Sequence, residues 1–315
     1  NIAIGNYSLD ANTTANNNVS IGYSALTDNT TGANNTALGA GSLANNTDAD
    51  YNTGLGYQTL WANTTGASNT AVGKNALVDL TTGSQTVAVG ANAGASLTTG
   101  QNSVAIGYEA LTTETTNSGK VAVGFRALKL STGNYNTGVG YAAGANLGSG
   151  TNNTAIGHWA LTNATTGSNN TAIGRSAAAQ ITTGDNNIAL GQGALGTTTT
   201  GDNNIAIGVG ALDSTGNEDT SNNVAIGRAS LTNSTTGGSN TAVGSFTLNA
   251  NTTGVNNVAL GYYSLYANTT GEQNIAIGRE TLEANTTGSH NIAIGGFNLD
   301  ANTTGNYNTS VGRSA

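Results

Sequence analysis

Carboxylate pairs, histidines, hydroxyl columns and aromatic rings are the features of this chain that could do chemistry. Sixteen acidic residues are spread over 315 positions. The nearest to the paired carboxylates of a glycoside hydrolase are Glu218 with Asp219, and Asp48 with Asp50 beside a turn. All four sit at variable turn positions, where solvated acids are the simpler account. His158 and His290 lie many repeats apart and cannot share a metal. Cysteine is absent, which excludes thiolate ligands and disulfides. Neither a phosphate-binding loop with its Lys-Ser/Thr nor the Gly-rich nonapeptide calcium repeat occurs. No catalytic, metal-ligating or cofactor-binding residue is assigned, and no cofactor is expected.

Three features could act at a surface instead. Eleven of the sixteen aromatic residues fall one or two places after a recurring Gly, and Tyr57, Tyr108, Tyr141, Trp159, Tyr262 and Tyr263 are the candidate contact residues. Such rings either stack on sugars or partner proteins, or only shield the edges of the repeats. Asn-x-Ser/Thr sequons mark Asn12, Asn29, Asn63, Asn163, Asn233, Asn251, Asn268, Asn285 and Asn302 as candidate glycosylation sites. Thr-Thr pairs recur in fourteen repeats and invite comparison with ice-binding arrays. Adjacent residues of an extended chain point to opposite sides, however, so only one Thr column faces outward.

These residues are positioned by a tandem repeat. The Gly after an aliphatic residue recurs at Gly5, Gly22, Gly39 and onward to Gly312, every 17 residues with two exceptions. The interval from Gly124 to Gly140 is one short, and that from Gly208 to Gly227 is two long. Seventeen residues are too few for a helical pair and suit one coil of a parallel β-solenoid with two short strands and tight corners. The β-branched or aliphatic residues three and one before each Gly suit a strand. Asn stands four before the Gly in sixteen of nineteen repeats, the exceptions being Thr86, Ser103 and Lys120. Stacked Asn amides can bond coil to coil. Leu stands four after the Gly in fifteen of eighteen coils. Where it is missing, at Gly94, Gly144 and Ala178, an aliphatic residue enters three places later as Leu97, Leu147 or Ile181. That is compensation of core volume.

Between the two aliphatic strand positions stands Ala in fifteen coils and Ser or Gly in the other four. A column this small meets something closely. One account is a companion chain packed on Ala3, Ala37, Ala71, Ala155, Ala206 and Ala276, with both strand faces buried. The other is a flattened coil whose small face meets its own opposite wall.

The strings Asn153–Gly157, Asn204–Gly208 and Asn291–Gly295 resemble the head repeats of trimeric autotransporter adhesins. Together with Leu97–Gly100 they also resemble repeats of phage tail fibres. The likeness runs over essentially the whole chain, with a longer coil and an added Asn-Thr-Thr-Gly turn. It implies a left-handed parallel β-roll, a homotrimer, and display outside the cell on a cell or virion surface.

Composition fits that picture. Charged residues make up 8%, Pro and Met are absent, and Gly numbers 46. The net charge of −8 with eight scattered Lys and Arg gives no basic track for nucleic acid. No apolar run is long enough to insert in a membrane. The expected architecture is one continuous β-solenoid over residues 1–315, a segment of a longer protein that begins and ends within a repeat. At about 4.8 Å of rise per coil, eighteen coils give a rod of about 85 Å. Its expected partners are copies of itself, including end-to-end continuation, and surface glycans.

Overall fold

A computed structural model describes residues 1–113, 116, 118–213 and 220–315. The chain is an all-β parallel solenoid, and its described residues contain no helix. It divides into two compact units, Asn1–Asn152 and Asn153–Ala315. The first holds nine three-residue strands, from β1 (Ile2–Ile4) to β9 (Thr137–Val139). The second holds ten, from β10 (Thr154–Ile156) to β19 (Thr309–Val311).

Strand pairs repeat one register. Ala88 lies beside Ala105 in the first unit, and Ala172 beside Ala189 in the second. The shortened coil keeps it, with Val121 opposite Thr137. So does the lengthened coil, with Ile205 opposite Val224. Both length changes fall between the strands, where a loop tolerates them more easily than a ladder does.

Each coil carries one strand, not the two expected. The opposite wall is built from the residues after the Gly, in which positions two and four take left-handed backbone conformations. Ser176 has φ 54° and Leu161 φ 47°. Alternating handedness keeps the peptide groups aimed along the stack without extending the chain. Leu161 N thus donates to Ala177 O at 2.9 Å, while Ser176 N donates back to His158 O at 2.9 Å. A left-handed Leu costs about 1–2 kcal/mol. Full burial of its side chain stabilises by about 1.5–3 kcal/mol, enough to hold it there.

The interior is narrow. The mid-strand Ala faces inward and meets the Leu column and the small residues beside it. At Gly54, which stands in place of Ala, a Cβ would lie 2.8 Å from Thr59 Oγ1. Leu97, Leu147 and Ile181 are all fully buried, so the displaced aliphatic residues do refill the core.

The Asn ladder runs along one corner. Asn170 N donates to Asn153 Oδ1 at 2.9 Å, and Asn187 N to Asn170 Oδ1 at 2.9 Å. Lys120 occupies one rung, wholly buried, and its ammonium donates to Ser131 O at 2.8 Å.

Candidate interaction surfaces

The mid-strand alanines are not an inter-chain face. Ala37, Ala71, Ala155, Ala206 and Ala276 have no exposed surface within a single chain, because the coil's own Leu wall covers them. Ala3 is exposed, in the first coil. The strand's other side points outward. Ile106, Ile156, Ile173, Ile188 and Leu260 keep 37–45% of their surface exposed, and Val87 and Val89 are similar. The outward face is therefore the aliphatic one.

Most of the sequons fold inward. Asn29, Asn63, Asn251, Asn268 and Asn285 are fully buried and cannot carry a glycan in the folded chain. Their amides form short internal ladders, one in each unit, joining Asn29 to Asn63 through Asn46 and Asn251 to Asn285 through Asn268. Asn268 donates to Asn251 Oδ1 at 2.9 Å and Asn285 to Asn268 Oδ1 at 2.9 Å. Asn12 and Asn302 belong to the same column, are partly buried, and Asn302 donates to Asn285 Oδ1 at 3.0 Å. Only Asn163 and Asn233 lie at another, outward position and remain half-buried.

The Thr-Thr pairs split as alternation requires. The first hydroxyl of many pairs is a rung, as in Thr64 to Thr81 O at 3.1 Å and Thr252 to Thr269 O at 3.0 Å. The second Thr faces out. With one hydroxyl column bound along the stack, a paired ice-matching array does not form.

The turn acids are built into the stack. Asp50 accepts from Ala33 N, and Asp185 accepts from Ser168 N at 2.7 Å. Asp48 accepts from Thr47 Oγ1 at 3.2 Å. Glu218 and Asp219 lie outside the described residues. Among the described residues no three His, Asp or Glu side chains gather to hold a metal, and no helix is long and apolar enough to cross a membrane.

The aromatic residues do gather. Tyr108, Phe125 and Tyr141 stack coil upon coil, with centroids 5.5 and 5.0 Å apart. Beside them Glu109 accepts from Lys129 Nζ at 2.7 Å and Arg126 Nε at 2.9 Å. The Lys129 ammonium, before other causes, holds the Glu109 carboxyl down to about 2. An NMR titration should therefore find Glu109 ionised until the pH falls to about 2, and Lys129→Ala should raise its midpoint. A midpoint in the ordinary carboxylate range in the wild type would contradict the geometry. Tyr262 and Tyr263 join Phe246 and Tyr266 in a second cluster, with Arg279 5.9 Å from the Tyr262 ring centre. Tyr266 stands five places after its Gly, outside the window that singled out its neighbours.

Tyr57 and Trp159 each border a hollow. One, of about 390 Å³, lies between Trp159 and Asp213 in the second unit. The other, of about 260 Å³, is bordered by Tyr23, Tyr57 and Trp61 in the first. No protein-family model matches the chain, and no curated protein matches it.

Proposed function

We propose that the chain is a structural segment of an extracellular fibre, displayed on a cell or virion surface and working by length, stiffness and repeated surface. In this reading it associates with copies of itself through the outward aliphatic face of its strands. The repeat resemblance to adhesin heads and tail fibres supports the setting. Backbone, Asn and Thr ladders all running along the stack support the stiffness.

The observation that carries the association is the exposed row of Ile, Val and Leu. In the second unit ten strands stack over about 45 Å, with outward side chains about 7 Å apart across the strip. The column next to the Gly is aliphatic in all ten strands, from Ile156 to Val311, while the other outward column mixes Ile and Val with Thr154, Thr171, Thr241 and Thr309. An aliphatic row of this length is the kind of surface that marks an interaction site. A shared axis of three chains, as the resemblance implies, would cover it.

Sedimentation equilibrium of the purified chain tests this. A stable oligomer is expected, with three chains the expected stoichiometry. Ile156→Lys with Ile173→Lys should give a folded monomer, since both side chains already face outward. A wild type that stays monomeric at micromolar concentration would overturn the association.

A further inference from the structure

The hollow between Trp159 and Asp213 has a specific origin in the sequence. Positions two and five after each anchor Gly point away from the core on the turn wall. In several coils both are large, as in Arg126 with Lys129, or Tyr263 with Tyr266, and in a few, such as Gly41 with Ala44 or Ala142 with Ala145, both are small. Two successive coils carry Ser176 with Ala179 and Gly193 with Gly196. The surface drops there, and Trp159 and Asp213 stand as walls on the coils before and after.

The walls differ in chemistry. Trp159 keeps 47% of its surface exposed, with the His158 ring packed beside it at 4.3 Å between centroids. Asp213 leans over the glycine floor; a Cβ on Gly196 would meet Asp213 Oδ1 at 2.8 Å, and one on Gly193 would meet Oδ2 at 3.6 Å. Thr197 donates to the same carboxylate at 3.4 Å. Along one side Asn163 donates to Gln180 Oε1 at 3.2 Å, forming a row of amides.

An aromatic plate, an apolar floor and a rim of amide and carboxylate groups match a pyranose ring, which has an apolar C–H face and a hydroxyl edge. The single carboxylate disfavours phosphate and other anions. A volume near 390 Å³ falls within the range of small-molecule sites. Three coil steps of about 4.8 Å separate the walls, room for a short oligosaccharide rather than one sugar.

We propose that this hollow binds a neutral oligosaccharide of two to three pyranose units. Trp159 stacks on one ring, and Asp213 with the Asn163–Gln180 amides takes hydroxyls of the next. The site goes beyond the structural role proposed above and does not depend on it. It lies on the turn wall, away from the strand face assigned to self-association. The hollow beside Trp61 repeats the plan, with the indole Cδ1 3.5 Å from where a Gly41 Cβ would stand.

The full chain carrying Trp61→Phe leaves Trp159 as the sole indole and serves as the probe background. It is titrated with neutral trisaccharides of gluco, galacto, manno and N-acetylated configuration, followed by tryptophan emission and calorimetry. Saturable binding of at least one is expected. Asp213→Asn, and Ala179→Tyr, which fills the floor, should each weaken it tenfold or more, while Tyr262→Ala should leave it unchanged. Thermal melts of each variant confirm that the coils remain intact. No saturation by any of the sugars would overturn the proposal. So would unchanged affinity in Ala179→Tyr, even if sugar binds elsewhere on the chain.

Discussion

Gly90→Ala is expected to lower stability by at least about 3 kcal/mol, although it adds a single methyl group. Gly90 has φ +133°, a conformation L residues rarely adopt. Its added Cβ would lie 2.6 Å from Gly107 O and 2.7 Å from Gly107 C. Both obstacles are backbone, and Gly107 N is itself tied to Val89 O at 2.7 Å. No side chain can swing away to make room. Relief requires the two coils to separate, which breaks rungs worth about 0.5–1.5 kcal/mol each on top of about 1–3 kcal/mol of strain. Gly210 is the control. Its φ is +63° and nothing lies within 4 Å of its Cβ position. Gly210→Asn should stay within about 1 kcal/mol of the wild type. Urea denaturation compares the two, and hydrogen exchange should show protection lost first around Gly90 and Gly107. Equal midpoints for the two variants would refute the steric account.

The same contrast shows which parts of the structure the residues declare. Period, register, Asn corner and core compensation are all legible, because each is a column whose chemistry repeats in every coil. The direction of the strand faces is not. The smallness of the Ala column was correctly a sign of close contact, but the contact is with Leu161 and its equivalents in the same coil. Opposite the Leu column the mid-strand position has room only for Ala, Ser or Gly, so the larger strand residues turn outward. The turn wall was illegible for a different reason. Left-handed Leu contradicts residue preference, and only tertiary burial holds it, whereas the left-handed Asn186 and Asn203 before each strand follow preference.

The buried sequons could have been recognised. The column that holds Asn29, Asn63 and Asn251 also holds Leu80, Leu97, Leu147 and Ile181. A position that accepts Leu in one coil and Asn in the next is an interior position in which Asn finds internal partners. The hollow at Trp159 was half visible. The ring was a candidate contact, but its depth comes from Ala179, Gly193 and Gly196, small residues that carry no chemical signature of their own.

Asn187→Ala should cost about 3 kcal/mol or more, because the residue serves four buried bonds at once. Its Oδ1 accepts from Asn204 N at 2.9 Å and from Asn204 Nδ2 at 3.1 Å. Its Nδ2 donates to Gly201 O at 2.8 Å and to Asn170 Oδ1 at 3.1 Å. The site is 1% exposed, so water cannot replace the lost partners. Each buried group left unpaired costs about 1–3 kcal/mol. Ser should be better tolerated than Ala, since Ser103 fills one rung and accepts from Lys120 N at 3.3 Å. Asp separates shape from hydrogen bonding. It keeps the acceptor facing Asn204 N but turns a second acceptor towards Gly201 O and Asn170 Oδ1. Ionisation is disfavoured there, so the folded-state pKa of the new carboxyl lies above its unfolded value near 3.9. Protonation restores a donor, and the folded state then binds its proton more tightly than the unfolded one. Asn187→Asp should therefore be least stable at neutral pH and recover, relative to the wild type, as the pH falls towards the unfolded value. Thermal melts of the four proteins between pH 7 and pH 4 check the order. An Asp variant whose deficit against the wild type grows on acidification would show that the amide nitrogen is not the group holding the rung together.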